Sequence, residues 1–551
     1  MCSRFLGCFP PFFFTGGLEY RFGAVQYWQT RLEAGRGSLI PAGCTVLSVF
    51  EDWPGGAGNA LGTMYAWYKA CTQASADGMD LAAKLAAKEV SCAMFHTAGK
   101  GTRLAPLPGS ENNNKPGVKL PVSTESGAPY SILESVIVQT GIYASSRKGR
   151  LSVFWGDQVF IPSVSCTYVP KHHVDILCTL GPMPSAEEWL AKGLDKYGLI
   201  AVGGTGEAAQ VEKVSHEVAS RMLASLGELT GVGASLGSFS VSAPLLALLM
   251  DEFNAEVAAK RGKLDTDPAL WMPLTLPVGA YVELMGGKGM GAAEATAHHG
   301  RMAAMIARLP AFEAAAAATA AAARAGSGGA AEGGMMLFGA VDVGAEAYWW
   351  DYGQLKLYTT NNLKLLRPDG DHEAATMRRF FKFPEGSRTL GPCTLGPFFK
   401  VAGGSTVAAS RVASGVADGA LLSGVRARDV VAGPGSILVN VTARRVDVAP
   451  GCVVYNVVTE GDVVLTEPGS VLTTAYLEAG ATEGGATEGG VEGAAMASRT
   501  DLDGGTEWKR AVCGNARSFE EVYHANGDAD VGAMEAHALA LHAAAAAKLG
   551  L

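Results

Sequence analysis

Two glycines followed by one arginine and two lysines form the most chemically loaded stretch of this chain: Gly99, Gly101, Thr102, Arg103, Lys115 and Lys119. An apolar run over 90–95 leads into them, so the segment reads as a buried strand opening into a loop. Glycine lacks a Cβ, so amides at 99 and 101 can turn toward an anion and approach it closely. Arg103, Lys115 and Lys119 then supply fixed positive charge for a polyphosphate. The pattern G-x-x-x-x-G-K-[ST] is absent, which argues against a P-loop. The third glycine of a dinucleotide fingerprint is absent as well.

Carboxylates come next. The run 151–155 is rich in β-branched and aromatic residues and ends in Gly156-Asp157, placing an acid at the carboxyl end of a predicted strand, where open α/β sheets bind ligands. A second acid, Asp351, sits in Tyr348-Trp-Trp-Asp-Tyr-Gly-Gln, ahead of a predicted helix that reaches Asn362. Two carboxylates suit Mg²⁺, which keeps waters and shares its other sites with phosphate oxygens. A strand-end turn for Asp157 and a helix N-terminal aspartate for Asp351 are the plainer alternatives. Between the two lie Tyr197-Gly198 and Glu212-Lys213, then Gly237 in a strand that precedes an apolar helix; a bare Glu-Lys pair is also compatible with a solvated surface.

Together, the loop at 99–103, the Lys115-Pro segment, the Gly-Asp strand, the Tyr-Gly and Glu-Lys elements and the 348–362 segment resemble the sugar-1-phosphate nucleotidyltransferases, the family of ADP-glucose and GDP-mannose pyrophosphorylases. The resemblance implies a Rossmann-like α/β catalytic domain with a mixed, mostly parallel sheet. It also implies transfer of a nucleotidyl group from an NTP to a sugar-1-phosphate, releasing pyrophosphate. Asp157 and Asp351 would hold Mg²⁺, and Asp157 would thereby be catalytic. Arg103 would stabilise the departing pyrophosphate, cradled by Gly99, Gly101 and Thr102, and one of Lys115 and Lys119 would neutralise the α-phosphate. Glu212 would bond sugar hydroxyls, Lys213 would hold the sugar's phosphate, and Gly237 would admit the sugar to the backbone. The 348–362 likeness favours ATP and glucose-1-phosphate; a UTP- or GTP-using enzyme for another sugar, or an inactive regulatory relative that binds nucleotide-sugar, are the alternatives. Gln354 departs from the family's usual Thr, and Val214 from its Pro.

The order of elements also departs from the family. No room remains between the Lys-Pro segment and the Gly-Asp strand for the usual strand and glycine-opened helix. A matching pair stands upstream instead: the run 44–50 and then Gly55, Gly56, Gly58, Gly62 and Thr63. Two readings stand side by side: a permuted nucleotide-binding half in which Gly58, Gly62 and Thr63 line the base pocket, or an unrelated glycine loop before a helix. The segment Asp265-Thr-Asp-Pro-Ala-Leu-Trp-Met-Pro273 is an acidic-aromatic stretch that either lines the sugar pocket or starts a capped helix.

From 405 to 477 the pattern changes to valines at six-residue intervals (Val425, Val431, Ile437; Val448, Val454; Val458, Val464) with Pro-Gly turns at Pro434, Pro450 and Pro468. Three hexads make one coil of a left-handed parallel β-helix. The expected division is an N-terminal extension (1–39), a catalytic domain (40–400, with a low-complexity insertion at 313–334), a left-handed β-helix (401–480), and a spacer with a helical tail (481–551). A hexapeptide acyltransferase needs a histidine in the coils, and none occurs between His372 and His524.

Composition narrows the partners. The 551 residues carry a formal net charge of -9, which provides no basic field for nucleic acid, and no apolar run long enough to span a membrane. Ten cysteines without a C-x-x-C pair suit a reducing compartment. The expected setting is cytoplasmic, with a plastid open because Arg4 precedes any acid, and a homo-oligomer through the β-helix is expected.

Overall fold

The apolar runs that end at Phe50, His96 and Trp155 become parallel strands, and the loops that follow them emerge at one edge. In a computed structural model, the described residues are 12–16, 22–97, 99–140, 147–164, 170–191, 193–196, 198–323, 335–478, 491–527 and 530–551. The first strands are β1 (Phe12–Gly16), β2 (Val46–Phe50), β3 (Cys92–His96), β4 (Lys119–Ser123), β5 (Pro129–Ser131) and β6 (Arg150–Trp155). They are followed by β7 (Gln158–Ile161), β8 (His172–Cys178), β9 (Gly198–Gly203), β10 (Ala208–Glu212), β11 (Leu229–Ser242), β12 (Met336–Asp342) and β13 (Tyr348–Asp351). The main sheet runs β10-β9-β11-β6-β3-β1-β2, with β8 on β11 and β12 on β8. Strands β2, β1, β3 and β6 are mutually parallel, whereas the long β11 runs antiparallel to β6, β8 and β9. The chain is therefore α/β with a parallel-strand sheet, followed by a β-solenoid of about 5 turns.

The segment 1–39, expected as an extension, supplies β1 inside this sheet and the helix α1 (Phe22–Ala34) packed beside β2. Trp28 on α1 is buried and donates through Nε1 to Asn114 Oδ1 at 2.9 Å, just before Lys115. The helix α2 (Gly58–Ala76) presents Leu61, Met64, Tyr65 and Ala70 to the core beside β2. The Ala-rich stretch at 313 continues the helix Leu309–Ala323, and Glu313 reaches the buried His173 at 3.2 Å; residues 324–334 and the repeat at 479–490 lie outside the described residues. Among the described residues, no helix is long and apolar enough to cross a membrane.

In the solenoid, Ala408 stacks on Ser423, Ser423 on Val439, Val439 on Tyr455 and Tyr455 on Thr473, all in parallel register. The Pro-Gly turns stack too. Gly435, Gly451 and Gly469 have φ of +75°, +71° and +75°, and Gly451 N donates to Pro434 O and Gly469 N to Pro450 O at 2.9 and 3.0 Å. Only glycine occupies that backbone region without strain. Val425, Val448 and Val454 are buried in the coil as the hexads imply, but Val464 is 55 % exposed and Val463 points inward in its place.

One solenoid face shows why the hexad pattern is imperfect. Leu438 and Val454 face the coil interior, while Ile437, Val439, Val453 and Tyr455 face the α/β half and join its core. Both faces of these strands are buried, so the sequence there reads as a continuous apolar run. Leu438→Ala should cost about 2–5 kcal/mol of stability and Val464→Ala well under 1 kcal/mol, as read by denaturant unfolding. Equal losses from the two would contradict this inside-out assignment.

Candidate functional site

Parallel strands deliver their carboxyl ends to one edge, and three of the sequence-picked segments begin there: 51–63 after β2, 97–115 after β3 and 156–157 after β6. The turn after β6 needs Gly156, whose N donates to His96 O at 2.9 Å and whose missing Cβ would press on Thr97 and that same carbonyl. Asp157 is thus fixed next to the glycine-rich loop. The ribbon β7–β13 brings the second acid to it, with Asp351 opposite Gln158 in antiparallel register and Tyr352 N donating to Asp157 O at 2.9 Å.

The two carboxylates flank Gly353. A Cβ there would lie 2.8 Å from Asp157 Oδ2 and 3.1 Å from Asp351 Oδ1. Lys115 Nζ meets Asp157 Oδ2 at 2.6 Å, and Gly353 N donates to Asp351 Oδ1 at 2.7 Å. Burial and then the negative Asp157 raise the Asp351 pKa, with Gly353 N, Lys115 and Arg103 pulling the other way. Arg103 itself is exposed at the end of the loop, whose Gly99 and Gly101 take φ of +110° and +67°. The four candidates Arg103, Lys115, Asp157 and Asp351 therefore share one electrostatic environment. Gln354 begins the following helix without a side-chain cap, the physical consequence of having no Thr there.

Two carboxylates are oxygen donors of the kind Mg²⁺ shares with waters and phosphate oxygens. Among the described residues no group of three or more His, Cys, Asp or Glu side chains is placed to hold a metal ion.

Lys119 belongs elsewhere. Its buried ammonium lies 2.6 Å from both oxygens of Glu111, which also accepts from Asn456 Nδ2 at 2.8 Å and from the Tyr455 hydroxyl. Lys119 N donates to Tyr455 Oη, and the Tyr358 hydroxyl donates to Lys119 O. This network ties the end of the glycine-rich loop to β4 and to the solenoid. Of the two lysines left open by the sequence, Lys115 is the one beside the carboxylates.

The upstream glycine helix is close to the same edge. Thr63 Oγ1 donates to Asn59 O at 2.7 Å and sits 2.8 Å from His96 Nε2, so the ring must donate from Nε2, because the hydroxyl has a single hydrogen. His96 stacks on Trp155 (centroids 5.3 Å apart), and burial lowers its pKa to about 4, keeping it neutral. Sequence reasoning picked no histidine, and nothing in the Phe-His-Thr string marked this one. The N-terminus of α2 is already occupied: Asp265 Oδ1 accepts from Asn59 N at 3.0 Å and Leu264 O from Ala60 N at 2.9 Å. Gly58 (φ +73°) leaves the space that the Leu264 carbonyl fills, and Gly62 the space beside the Glu51 carboxylate. Both glycines therefore serve close protein contacts.

Asp265 links this helix to the third group. Asp267 faces Glu212, Lys213 and Gly198: a Cβ at Gly198 would come 3.5 Å from Asp267 Oδ2 and 3.6 Å from Ser235 Cβ. Glu212 is bridged by Lys213 at 2.8 Å and Lys288 at 3.0 Å, which holds its carboxyl below the usual range despite burial. Lys213 has φ +56°, an uncommon backbone for a non-glycine. Gly237 (φ +73°) gives its free side to the Trp155 indole, so that space is filled by protein. Glu212 pairs with Gly198 across β10 and β9, Gly198 lies near Ser235, and Gly237 N donates to Ser235 Oγ at 3.1 Å. Tyr197 lies outside the described residues.

Set against protein-family models and curated proteins, the chain matches none.

Two outcomes follow. Lys119→Met should cost about 3–5 kcal/mol by leaving Glu111 buried and unpaired, whereas Lys115→Met should leave the melting temperature within a few degrees; the reverse order in thermal unfolding would contradict these placements. Burial and then Glu212 push the Asp267 pKa from 3.8 to about 6. Its charged form is therefore disfavoured in the fold. The group costs nothing below pH 3.8, and the cost grows until pH passes 6. Asp267→Asn should gain stability over the parent as pH rises through that window, by at most about 3 kcal/mol. A pH-independent difference in unfolding free energy would refute the shift.

Proposed function

We propose that the chain is a sugar-1-phosphate nucleotidyltransferase, making an NDP-sugar and pyrophosphate from an NTP and a sugar-1-phosphate. The observation that carries this reading is the pair Asp157 and Asp351 about Gly353, with Lys115 on Asp157 and the Arg103 loop alongside. A phosphate-cradling loop, a cation and two carboxylates at one sheet edge are what in-line transfer at phosphorus requires, because such catalysis is positioning and charge neutralisation. The catalytic half is then Rossmann-like and permuted, since β1, α1, β2 and α2 precede the glycine-rich strand yet occupy the flank of the sheet beyond β3. The solenoid is then a left-handed β-helix.

Asp157 and Asp351 would hold Mg²⁺, which would supply positive charge to offset that of the phosphates. Lys115 would leave Asp157 for the α-phosphate as the nucleotide enters. Arg103 would stabilise the leaving pyrophosphate, with Gly99, Gly101 and Thr102 shaping its seat. The sugar phosphate is already anionic, so no general base is required, and the neutral His96 would serve by holding Thr63 and Trp155 in place. Glu212 and Lys213 would receive the sugar and its phosphate, with Asp267 beside them. ATP with glucose-1-phosphate is the first pair to test; no nucleic acid or membrane enters the reaction, and the expected setting is cytoplasmic.

Pyrophosphate release with Mg²⁺ over five NTPs and a panel of sugar-1-phosphates should show one dominant pair. Asp157→Asn should lower that rate about 10²–10³-fold or more while the fold persists. A folded protein that binds nucleotide but releases no pyrophosphate with any pair would favour the inactive regulatory reading.

A further inference from the structure

The residues after the solenoid do not trail away from the molecule. The strand Val491–Arg499 pairs antiparallel with Ser470–Glu478 of the last coil and turns the chain back toward the catalytic domain. Residues 500–526 then run along the glycine-rich loop. Gly504 lies against Thr102 O with no room for a Cβ, and a Cβ at Gly505 would sit 3.3 Å from Arg103 Cγ. Asp503 closes its own turn, accepting from Gly505 N at 2.9 Å and Thr506 Oγ1 at 3.2 Å, which presents the two glycines edge-on to the loop.

The short helix Phe519–Ala525 follows, fixed by a capping box in which Ser518 N donates to Glu521 Oε2 and Glu521 N to Ser518 Oγ. Phe519 and Val522 pack on Ala105, Met496 and Leu477. Two asparagines cross between the segments: Asn113 Nδ2 donates to Tyr523 O at 2.7 Å, and Asn526 Nδ2 donates to Gly109 O at 3.0 Å. Lys100 Nζ lies over the Tyr523 ring, 5.1 Å from its centroid. A small crevice lined by Lys100, Gly101, Trp508 and Tyr523 remains between them.

Contact thus runs from Lys100 to Asn113, the whole of the candidate phosphate loop. Such a loop is entropically expensive to order. Gly99, Gly101, Asn112 and Asn113 all hold positive φ, and fixing each residue costs about 1–2 kcal/mol of backbone entropy. A loop ordered only by the incoming triphosphate would lose that cost from its affinity, whereas a loop ordered beforehand would not. Asn526 holds the loop backbone at Gly109 O, while Asn113 and Lys100 meet residue 523 through their side chains, so these contacts do not engage the Arg103 guanidinium.

We propose that residues 500–526 are a positioning clamp for the candidate phosphate loop, with Tyr523 and Asn526 acting through Lys100 and Gly109 to set affinity for the nucleoside triphosphate. This rests on the nucleotidyltransferase reading for the identity of the ligand, but the clamp itself can be tested without it.

Hydrogen exchange on the full-length protein, without substrate, should be faster over 97–113 in Tyr523→Ala and Asn526→Ala than in the parent, with the β-solenoid strands unchanged. Unchanged exchange at 97–113 in both variants would overturn the clamp whatever the activity. With the NTP and sugar-1-phosphate pair that gives turnover, each variant should raise KM for the NTP about three- to tenfold, the loss expected from one cation–π or hydrogen-bond contact. KM for the sugar-1-phosphate and kcat should stay within about twofold, and Tyr523→Phe, which keeps the ring, should restore the parent value. Equal rises in both KM values would show a merely structural role and overturn the assignment to triphosphate affinity. Faster exchange at 97–113 in a protein with no turnover on any pair would leave the clamp standing and remove the enzymatic reading.

Discussion

Two carboxylates meeting across one glycine are the constraint around which this edge of the molecule is organised. Asp157 and Asp351 come from different strands, and burial raises the cost of their proximity. Like charges in a low-dielectric crevice repel strongly, so the arrangement persists only with cations alongside. Lys115 supplies one at 2.6 Å, and Arg103 adds a weaker influence from the loop. A structural salt bridge would need one acid. A second acid held at a raised pKa in a crevice makes this pair a candidate functional site.

Everything that places these groups derives from strand polarity. Parallel β2, β3 and β6 discharge their loops on one side, whatever their order along the chain. The α2 helix can therefore sit beside the glycine-rich loop although it precedes it in sequence, and Thr63, His96 and Trp155 record that closeness in direct contacts. The solenoid contributes to the same edge from a distance. Tyr455 and Asn456 reach Glu111 and Lys119 at the far end of the loop, and residues 500–526 touch it from Lys100 to Asn113. The loop is held at both ends by the C-terminal half of the chain.

Much of this was legible in the sequence. The strand that ends at Trp155, the permissive backbone at Gly99 and Gly101, and the Pro-Gly ladder of the solenoid follow from local rules that residue types express directly. What escaped depends on contacts between distant segments. Lys115 and Lys119 look alike in the string and differ only because Glu111 is buried beside one of them. Gly58, Gly62 and Gly237 were legible as places of close approach, but the approaching groups are Leu264, Glu51 and Trp155, each from elsewhere in the chain or the space around it. Asp265 reads as a helix cap and is one, but for α2, some two hundred residues upstream in the chain. Residues 500–526 resembled a tail because low-complexity chain precedes them, and composition carries no sign of where a segment docks.

On the proposed function, Asp157 and Asp351 hold a divalent cation together with phosphate. Mn²⁺ titration followed by electron paramagnetic resonance, with ATP and with inorganic pyrophosphate as a base-free control, tests it most directly. The account requires Mn²⁺ to bind tightly only when a phosphate ligand is present, and that binding to fall sharply in Asp351→Asn and Asp157→Asn. Mn²⁺ binding that is equally strong in both variants, or indifferent to phosphate, would contradict it.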